Sequence, residues 1–421
     1  MKKVIPEKTS FNMGSIMASA GNSGPKVRSD CEISIEMRSG GGIRVDLESR
    51  VKTLYGKSIS DLCRDIIAFF GISDAHIVIN DSGALPFVIA ARVEAAIKKL
   101  IDTDKEFLPS MLRENTYSSS AIRIRFSRLY VPGNTPGMMI NSGLHSACGI
   151  ILDLEDSVAT DRKDEARVLV RNALHQIDFR GAERMVRINQ GERGFRDLQS
   201  IVPHNVNLIL IPKCENKDHV NDVEGEIERI RKKKRLRNPV FIMPIIESPL
   251  GVENAFEIAK SSGNIVAVAI GLEDYTSELG VPRSQEGKES FYARTRIVNA
   301  AKAAGIQPID SVFSDVADMD SLKQYAQFSK SLGFEGIGCI HPRQVPVVNR
   351  VFAPDDSEIE KSKQIIIAFE EARRKGLNVV ALGSKMIDPP VVARAQENID
   401  LALKLGRLKE GWREESSSET N

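Results

Sequence analysis

The sequence predicts an α/β chain built as a TIM-type (β/α)8 barrel with a small α+β domain in front of it. Three observations carry that prediction. Beyond residue 126, eight short apolar runs alternate with amphipathic stretches, the repeat expected of a barrel of parallel strands and covering helices. Those runs are apolar throughout, as strands buried on both faces are. Before residue 100 the pattern is different, with strand-like alternation and two helical segments, and a length of 421 residues leaves room for more than one domain.

In order along the chain, Cys31–Met37 and Ile43–Leu47 alternate apolar and polar letters on either side of Gly40-Gly41-Gly42, which predicts an antiparallel hairpin. Val51 to Phe70 places Val51, Leu54, Ile59, Leu62, Ile66 and Phe70 near a helical period and stops at Gly71. A strand over His76–Ile79 and a helix over Ile89–Leu100 complete a first domain, 1-100. Residues 101-125, with Asp102, Asp104, Pro109 and Ser118-Ser119-Ser120, have little periodicity and read as a linker. Barrel strands are expected at Leu129–Val131, Gly149–Leu154, Met185–Ile188, Leu208–Ile211, Val240–Ile246, Ile265–Ile270, Ser311–Phe313 and Gly336–Ile340. A long helix over Asp356–Lys375, a run at Val379–Leu382 and a helix from Pro390 extend this unit, 126-405, and 406-421 reads as a polar tail.

Composition narrows the function classes. With 42% apolar and 27% charged residues the chain has the makings of a core, and a net charge of +1 supplies no global field toward nucleic acid or anionic lipid. Five scattered cysteines read as reduced cytoplasmic thiols. Met1-Lys2-Lys3 is followed by Pro6, Glu7 and Lys8, so the apolar core of a secretory signal is not expected. HExxH, GxGxxG and GxSxG are absent, and Gly280 to Glu289 fails the P-loop pattern. The basic run Arg229 to Arg237 reads as a solvated helix end, the alternative being a dock for phosphates or a partner subunit.

In such a barrel the chemistry stands at the carboxyl ends of the strands. There the sequence puts Val131-Pro-Gly-Asn134, Asp153-Leu-Glu-Asp156, Arg187-Ile-Asn189, Pro212-Lys213, Glu247-Ser248 and Glu273-Asp274-Tyr275. Glu247 and Asp274 end neighbouring strands, spaced ~4.8 Å apart, and two hard carboxylates there suit one magnesium ion with positions left for water and substrate. The alternative is a pair of solvated acids. Arg187 ends an apolar strand, where its permanent charge needs an anion: either a substrate or an ion pair with Asp153 or Asp156. Lys213 offers a rival chemistry as the Schiff-base amine of a class I aldolase, against a plain structural or substrate-binding cation. A third reading is a non-catalytic carrier or assembly subunit.

Arg128-Leu-Tyr-Val-Pro-Gly-Asn134, Leu152-Asp-Leu-Glu-Asp-Ser-Val158, Val186-Arg-Ile-Asn189, Ile245-Ile-Glu-Ser248 and Gly271-Leu-Glu-Asp-Tyr-Thr276 resemble the citrate lyase beta subunit of the HpcH/HpaI aldolase superfamily. Ile340-His-Pro-Arg-Gln344 and Lys385-Met-Ile-Asp388 extend that likeness to about residue 405. Through Ser49-Arg-Val-Lys-Thr-Leu-Tyr-Gly56 and Asp81-Ser-Gly-Ala-Leu-Pro-Phe-Val-Ile-Ala-Ala-Arg92 the first domain is similar to the citrate lyase acyl carrier, or gamma, subunit.

The resemblance implies a magnesium-dependent lyase that cleaves a citryl- or citramalyl-type thioester, bound to acyl carrier or coenzyme A, into an acetyl thioester and a 2-oxo acid. It implies Glu247 and Asp274 as metal ligands and Arg128 and Arg187 as partners of substrate carboxylate and oxyanion charge. Asp156 would orient Arg187 or a metal-bound water. Asp388 resembles an acid inserted into a neighbouring subunit's site, which implies a homo-oligomer, and an alpha-like transferase subunit is an implied partner. The carrier resemblance implies a covalent phosphoribosyl-dephospho-coenzyme A arm on a serine two residues before an aspartate. Here that position before Asp30 is Arg28, so the attachment falls to Ser29 or to Ser23, or the carrier is unloaded.

Overall fold

The computed structural model describes residues 17–382 and 385–413. The expectations for the amino terminus and for the tail beyond residue 413 lie outside the described residues.

The small domain is a four-stranded sheet of β1 (Met17–Gly21), β2 (Cys31–Met37), β3 (Ile43–Ser49) and β4 (Ala75–Asp81), in the order β1-β2-β4-β3. The expected hairpin does not form. β2 is antiparallel to β4 and β3 is parallel to it, so β4 lies between them. Helix α1 (Lys52–Phe69) is the cause, because it returns the chain across the sheet and lays β4 parallel beside β3. Gly71, at φ +81°, ends that crossover. Strand β1 has few β-branched letters, and sequence reading passed over it; its place is set by pairing with β2. Ile33, Ile35, Ile77 and Ile79 face a core shared with Ile59, Cys63 and Ile66 of α1. Helix α2 (Pro86–Lys98) is buried all round from Phe87 to Ile97. One side meets the sheet and the other the barrel, and so Arg92 and Glu94 are buried although charged.

The barrel strands are β5 (Ser127–Pro132), β6 (Gly149–Asp153), β7 (Glu183–Arg187), β8 (Leu208–Ile211), β9 (Phe241–Ile246), β10 (Ala267–Ile270), β11 (Gln307–Ile309) and β12 (Ile337–Cys339). All neighbouring pairs are parallel, β12 returns to β5, and a bridge from Asp310 to Ile337 closes the ring. The seventh strand lies at 307–309, ahead of the expected Ser311–Phe313. The apolar Val312 that suggested the later position belongs to the mouth, where it fills the space above Gly338. Ile151, Met185, Leu208, Leu210, Met243 and Ile309 fill the barrel interior.

The connecting helices are α3 (Pro136–Met139), α4 (Lys163–Gln176), α5 (Gly191–Ile201), α6 (Lys217–Lys234), α7 (Pro249–Glu253), α8 (Ala255–Ala259), α9 (Leu272–Leu279), α10 (Phe291–Ala304), α11 (Met319–Leu332) and α12 (Gln344–Phe352). The basic run closes α6 as a solvated end, with Arg229 paired to Glu226 and Arg231 to Glu228. Beyond the barrel, α13 (Asp356–Arg374), β13 (Val380–Leu382), β14 (Lys385–Ile387) and α14 (Pro389–Lys404) build a module with its own core of Ile365, Ile399 and Trp412.

Residues 101–125 contain one short 3-10 turn, Arg113–Asn115, yet they are strapped to the barrel. The Leu112 amide donates to the His175 carbonyl at 2.9 Å, and Asn115 Nδ2 donates to the Ile177 carbonyl at 2.6 Å. Four of the five cysteines are buried, and burial pushes the Cys63, Cys214 and Cys339 thiols up to about 12. Among the described residues no helix is long and apolar enough to cross a membrane.

Candidate active site

The carboxyl ends of the strands surround a cavity of about 420 Å³ lined by Arg128, Tyr130, Asp153, Asp156, Arg187, Glu247 and Asp274. Asp153, Asp156, Arg187, Glu247 and Asp274 are strand-end charges singled out in the sequence, brought to one mouth by the parallel register, and Arg128, implied by the resemblance, lines the same cavity.

Glu247 follows β9 and is 7% exposed, with Oε1 accepting the Lys213 amide at 2.7 Å. A Cβ added at Gly271 would stand 2.5 Å from Glu247 Oε2, so the absent side chain at 271 is what gives this carboxyl its room. Burial pushes its pKa up to about 7 against the Lys213 amide bond, with the negative charge of Asp274 adding to the rise. Asp274 lies in the first turn of α9 and meets Lys213 Nζ at 3.5 Å.

Arg187 and Asp153 end adjacent strands and form a two-pronged pair at 2.6 and 2.8 Å. Arg187 Nη1 reaches Asp156 at 2.9 Å and Glu155 at 3.1 Å. Burial works against the charge of Asp153, but Arg187 outweighs it and holds the carboxyl below the usual range. Of the two readings left open for Arg187, the ion pair is therefore present in the chain itself.

Arg128 is the opposite case. It is 2% exposed, its nearest polar contact is Met243 Sδ at 3.5 Å, and its Nε has no hydrogen-bond partner. Burial pulls its pKa down to about 10, so it remains a cation at neutral pH. It lines the cavity without an anion of its own.

Lys213 is held at φ +49°, with Nζ 3.6 Å from Glu155. Burial lowers its pKa, but Glu155, Asp274 and Asp156 outweigh that and raise it. A Schiff-base amine needs the reverse shift. Glu155 is the residue that sequence reading quoted without assigning. Burial and the neighbouring Asp156 raise its pKa, while Asp156 is held down by Glu155, Arg187 and Lys213 against its own burial. An unbroken acid pair in the turn after an apolar strand was the available signal.

Apart from Glu273 and Asp310, which line the cavity but are paired with Arg283 and Arg294, five acids, Asp153, Glu155, Asp156, Glu247 and Asp274, stand with three cations, Arg128, Arg187 and Lys213, around one mouth. The excess of carboxyl groups over cations, with hard oxygen donors among them, fits a divalent cation such as magnesium. Among the described residues no group of three or more His, Cys, Asp or Glu side chains has metal-holding geometry.

Two expected residues stand elsewhere. Asp388 caps α14 by accepting the Val391 amide at 3.2 Å and does not line this cavity. Ser29 sits on the small domain, in the turn before β2, at φ +57° with its amide donating to the Ser82 carbonyl at 3.0 Å.

A family model described as HpcH/HpaI aldolase/citrate lyase matches residues 127–342, and one described as malonate decarboxylase delta subunit matches residues 19–100. The chain is 40% identical over 297 residues to citrate lyase subunit beta of Haemophilus influenzae, covering 70% of this chain and 100% of that one. It is 31% identical over 305 residues to mitochondrial citramalyl-CoA lyase of Homo sapiens, covering 69% and 89%. The crystal structure of CitE from Mycobacterium tuberculosis in complex with magnesium, acetoacetate and coenzyme A aligns with a TM-score of 0.56 at 26% identity, over 67% of this chain and 99% of that one. With a closed barrel, a charged mouth at its carboxyl end and these likenesses, the chain belongs to the HpcH/HpaI aldolase/citrate lyase family.

Proposed function

We propose that the barrel is a magnesium-dependent carbon–carbon lyase that splits a citryl- or citramalyl-type thioester into an acetyl thioester and a 2-oxo acid. The observation that carries this reading is Arg128, a buried guanidinium without an anion, lining a mouth that also holds an excess of acid. Cleavage of such a thioester takes the proton from the 3-hydroxyl, breaks the adjacent carbon–carbon bond and turns the hydroxyl carbon into the ketone of the 2-oxo acid. The electron pair passes to the acetyl thioester as an enolate, which a proton then quenches at carbon.

Arg128 meets the negative charge that develops on the thioester oxygen, in a setting where burial strengthens the contact. Glu247 and Asp274 would hold the magnesium ion, which supplies Lewis-acid polarisation of the substrate's oxygens. With Glu247 given to the cation, Glu155, held beside the mouth by Arg187 at 3.1 Å and Lys213 at 3.6 Å and raised in pKa, takes up the hydroxyl proton. Asp156 and Asp153 fix Arg187 across the mouth. Asp388 returns the proton to the enolate from a neighbouring subunit; its place on a separate carboxyl-terminal module, away from its own cavity, supports a homo-oligomer.

The small domain carries a phosphoribosyl-dephospho-coenzyme A arm on Ser29 and exchanges cargo with an alpha-like transferase subunit, in the cytoplasm to which its reduced thiols suit it. The test is to incubate the purified chain with magnesium and citryl- or citramalyl-coenzyme A and to identify products by mass spectrometry. Paired release of the 2-oxo acid and acetyl-coenzyme A is expected. Intact thioesters after prolonged incubation, with carrier-bound substrate equally untouched, would overturn the reading.

A further inference from the structure

Arg92, on α2 of the small domain, has no solvent exposure and joins both parts of the molecule. Its Nε and Nη2 donate to Asp30 at 3.0 and 2.9 Å, within its own domain. Its Nη1 donates to Asn134 Oδ1 at 2.6 Å, in the loop after β5, and to Glu165 at 3.2 Å, on α4. From the barrel side, Arg162, in the loop after β6, donates to the Gly21 carbonyl at 2.6 Å and to Asn22 Oδ1 at 3.1 Å. The turn formed by residues 21–30 is therefore seated on the loops after β5 and β6. The same two strand ends supply Pro132, Asp156 and Ser157 to the cavity.

We infer that the small domain stays docked beside its own barrel's mouth, and that a group carried on Ser29 is presented to the cavity of the same chain without the domain undocking. The inference rests on the proposed attachment of an arm at Ser29 and adds where, and in which chain, that arm works. A carrier that leaves and returns would have to break the Arg92 bonds to Asn134 and Glu165 and the Arg162 bonds to Gly21 and Asn22 together on every visit. A second clamp argues the same way. Arg171 of α4 grips Glu94 of α2 at 2.7 and 2.8 Å, with both side chains buried. Docking in place keeps the tethered substrate at an effective concentration of order mM or higher and pre-aligned, which a loose tether does not.

The contact between the two parts offers a direct test. A Cβ built at Gly137 lies 4.0 Å from Arg28 Cβ, inside the ~3.5–4.5 Å range of a disulfide. The double variant Arg28→Cys/Gly137→Cys is made in the native cell, oxidised, and assayed on carrier-bound substrate, with each single variant as control and intact mass reporting the arm and the cross-link. The expected result is an intrachain disulfide with turnover within about twofold of the reduced form. A loaded chain that forms the disulfide and loses turnover until it is reduced overturns the inference alone. A pair that does not cross-link within one chain overturns it too. Protein found without an arm overturns the attachment reading and this inference together.

Discussion

Arg187 and Asp153 are register partners on adjacent strands, and their side chains close the two-pronged pair of 2.6 and 2.8 Å at the rim of the barrel. Because Nη1 also meets Asp156 and Glu155, the guanidinium uses its planar fork to space a row of acids along the mouth. An ammonium is a point charge and holds one of these contacts at a time. Arg187→Lys is therefore expected to lower kcat by about 10²-fold, the scale of losing one preorganised contact. The acid limb of its pH–rate profile should move upward, since the fork no longer holds Asp153 down. Steady-state kinetics over a pH series checks this, and a wild-type kcat and profile would refute it.

Arg128 makes the opposite trade. A buried guanidinium without a carboxylate burdens the fold, and an apolar residue of similar volume at such a place is often neutral or stabilising. Arg128→Met is expected to keep or raise Tm while kcat/KM falls by about 10²-fold or more. A variant that loses Tm in proportion to activity would make Arg128 a structural residue.

Much of this site was legible in the sequence because parallel strands read as apolar runs and the letters that follow them are fixed to one end of the barrel. Glu247, Asp274 and Arg187 were placed at the mouth by that rule alone. The strand pairing in the small domain was not legible. Cys31–Met37 and Ile43–Leu47 look like a hairpin locally, and only the return of α1 across the sheet decides that β4 separates them. Likewise nothing in the letters at Arg92 says that a charged residue on a helix is sealed between two domains. The distinction between Arg187, saturated by its own acids, and Arg128, left without an anion, needed the side-chain geometry.

Gly271 has φ −108°, which any residue adopts, so its constraint is spatial. An alanine Cβ there would fall 2.5 Å from Glu247 Oε2 and 2.9 Å from Glu247 Cβ, and the carboxyl must swing away. Gly271→Ala is expected to raise the magnesium concentration for half-maximal activity by about tenfold or more, equivalent to ~1.4 kcal/mol of lost metal binding, with the strand backbone intact. A magnesium titration of turnover measures it; an unshifted midpoint would remove Glu247 from the metal.

The strap between the domains should be acid-sensitive. His175 bonds the Pro109 carbonyl and His204, and burial with the His204 charge holds its pKa down to about 4. Burial opposes the charge of Glu106, yet contacts to His204 and Arg171 bring it down to about 2. Both groups bind protons less readily folded than unfolded, so their stabilisation is full above about pH 6.5. As pH falls it is lost first between about 6.5 and 4 through His175, then between about 4.5 and 2 through Glu106. Melting curves should show Tm falling across the first interval, and His175→Gln should flatten that slope. An unchanged slope in the variant would contradict this assignment.

The central claim, that Glu247 and Asp274 hold the cation needed for carbon–carbon cleavage, is tested most directly by metal-dependent turnover of a citryl- or citramalyl-coenzyme A thioester. Wild-type chain stripped with a chelator should release no 2-oxo acid and should recover with added magnesium. Glu247→Ala and Asp274→Ala should stay inactive at every magnesium concentration while keeping the wild-type melting profile, because strand-end residues at a barrel mouth contribute chemistry more than core. Full cleavage by the stripped wild type, or by either variant under excess chelator, would contradict the account.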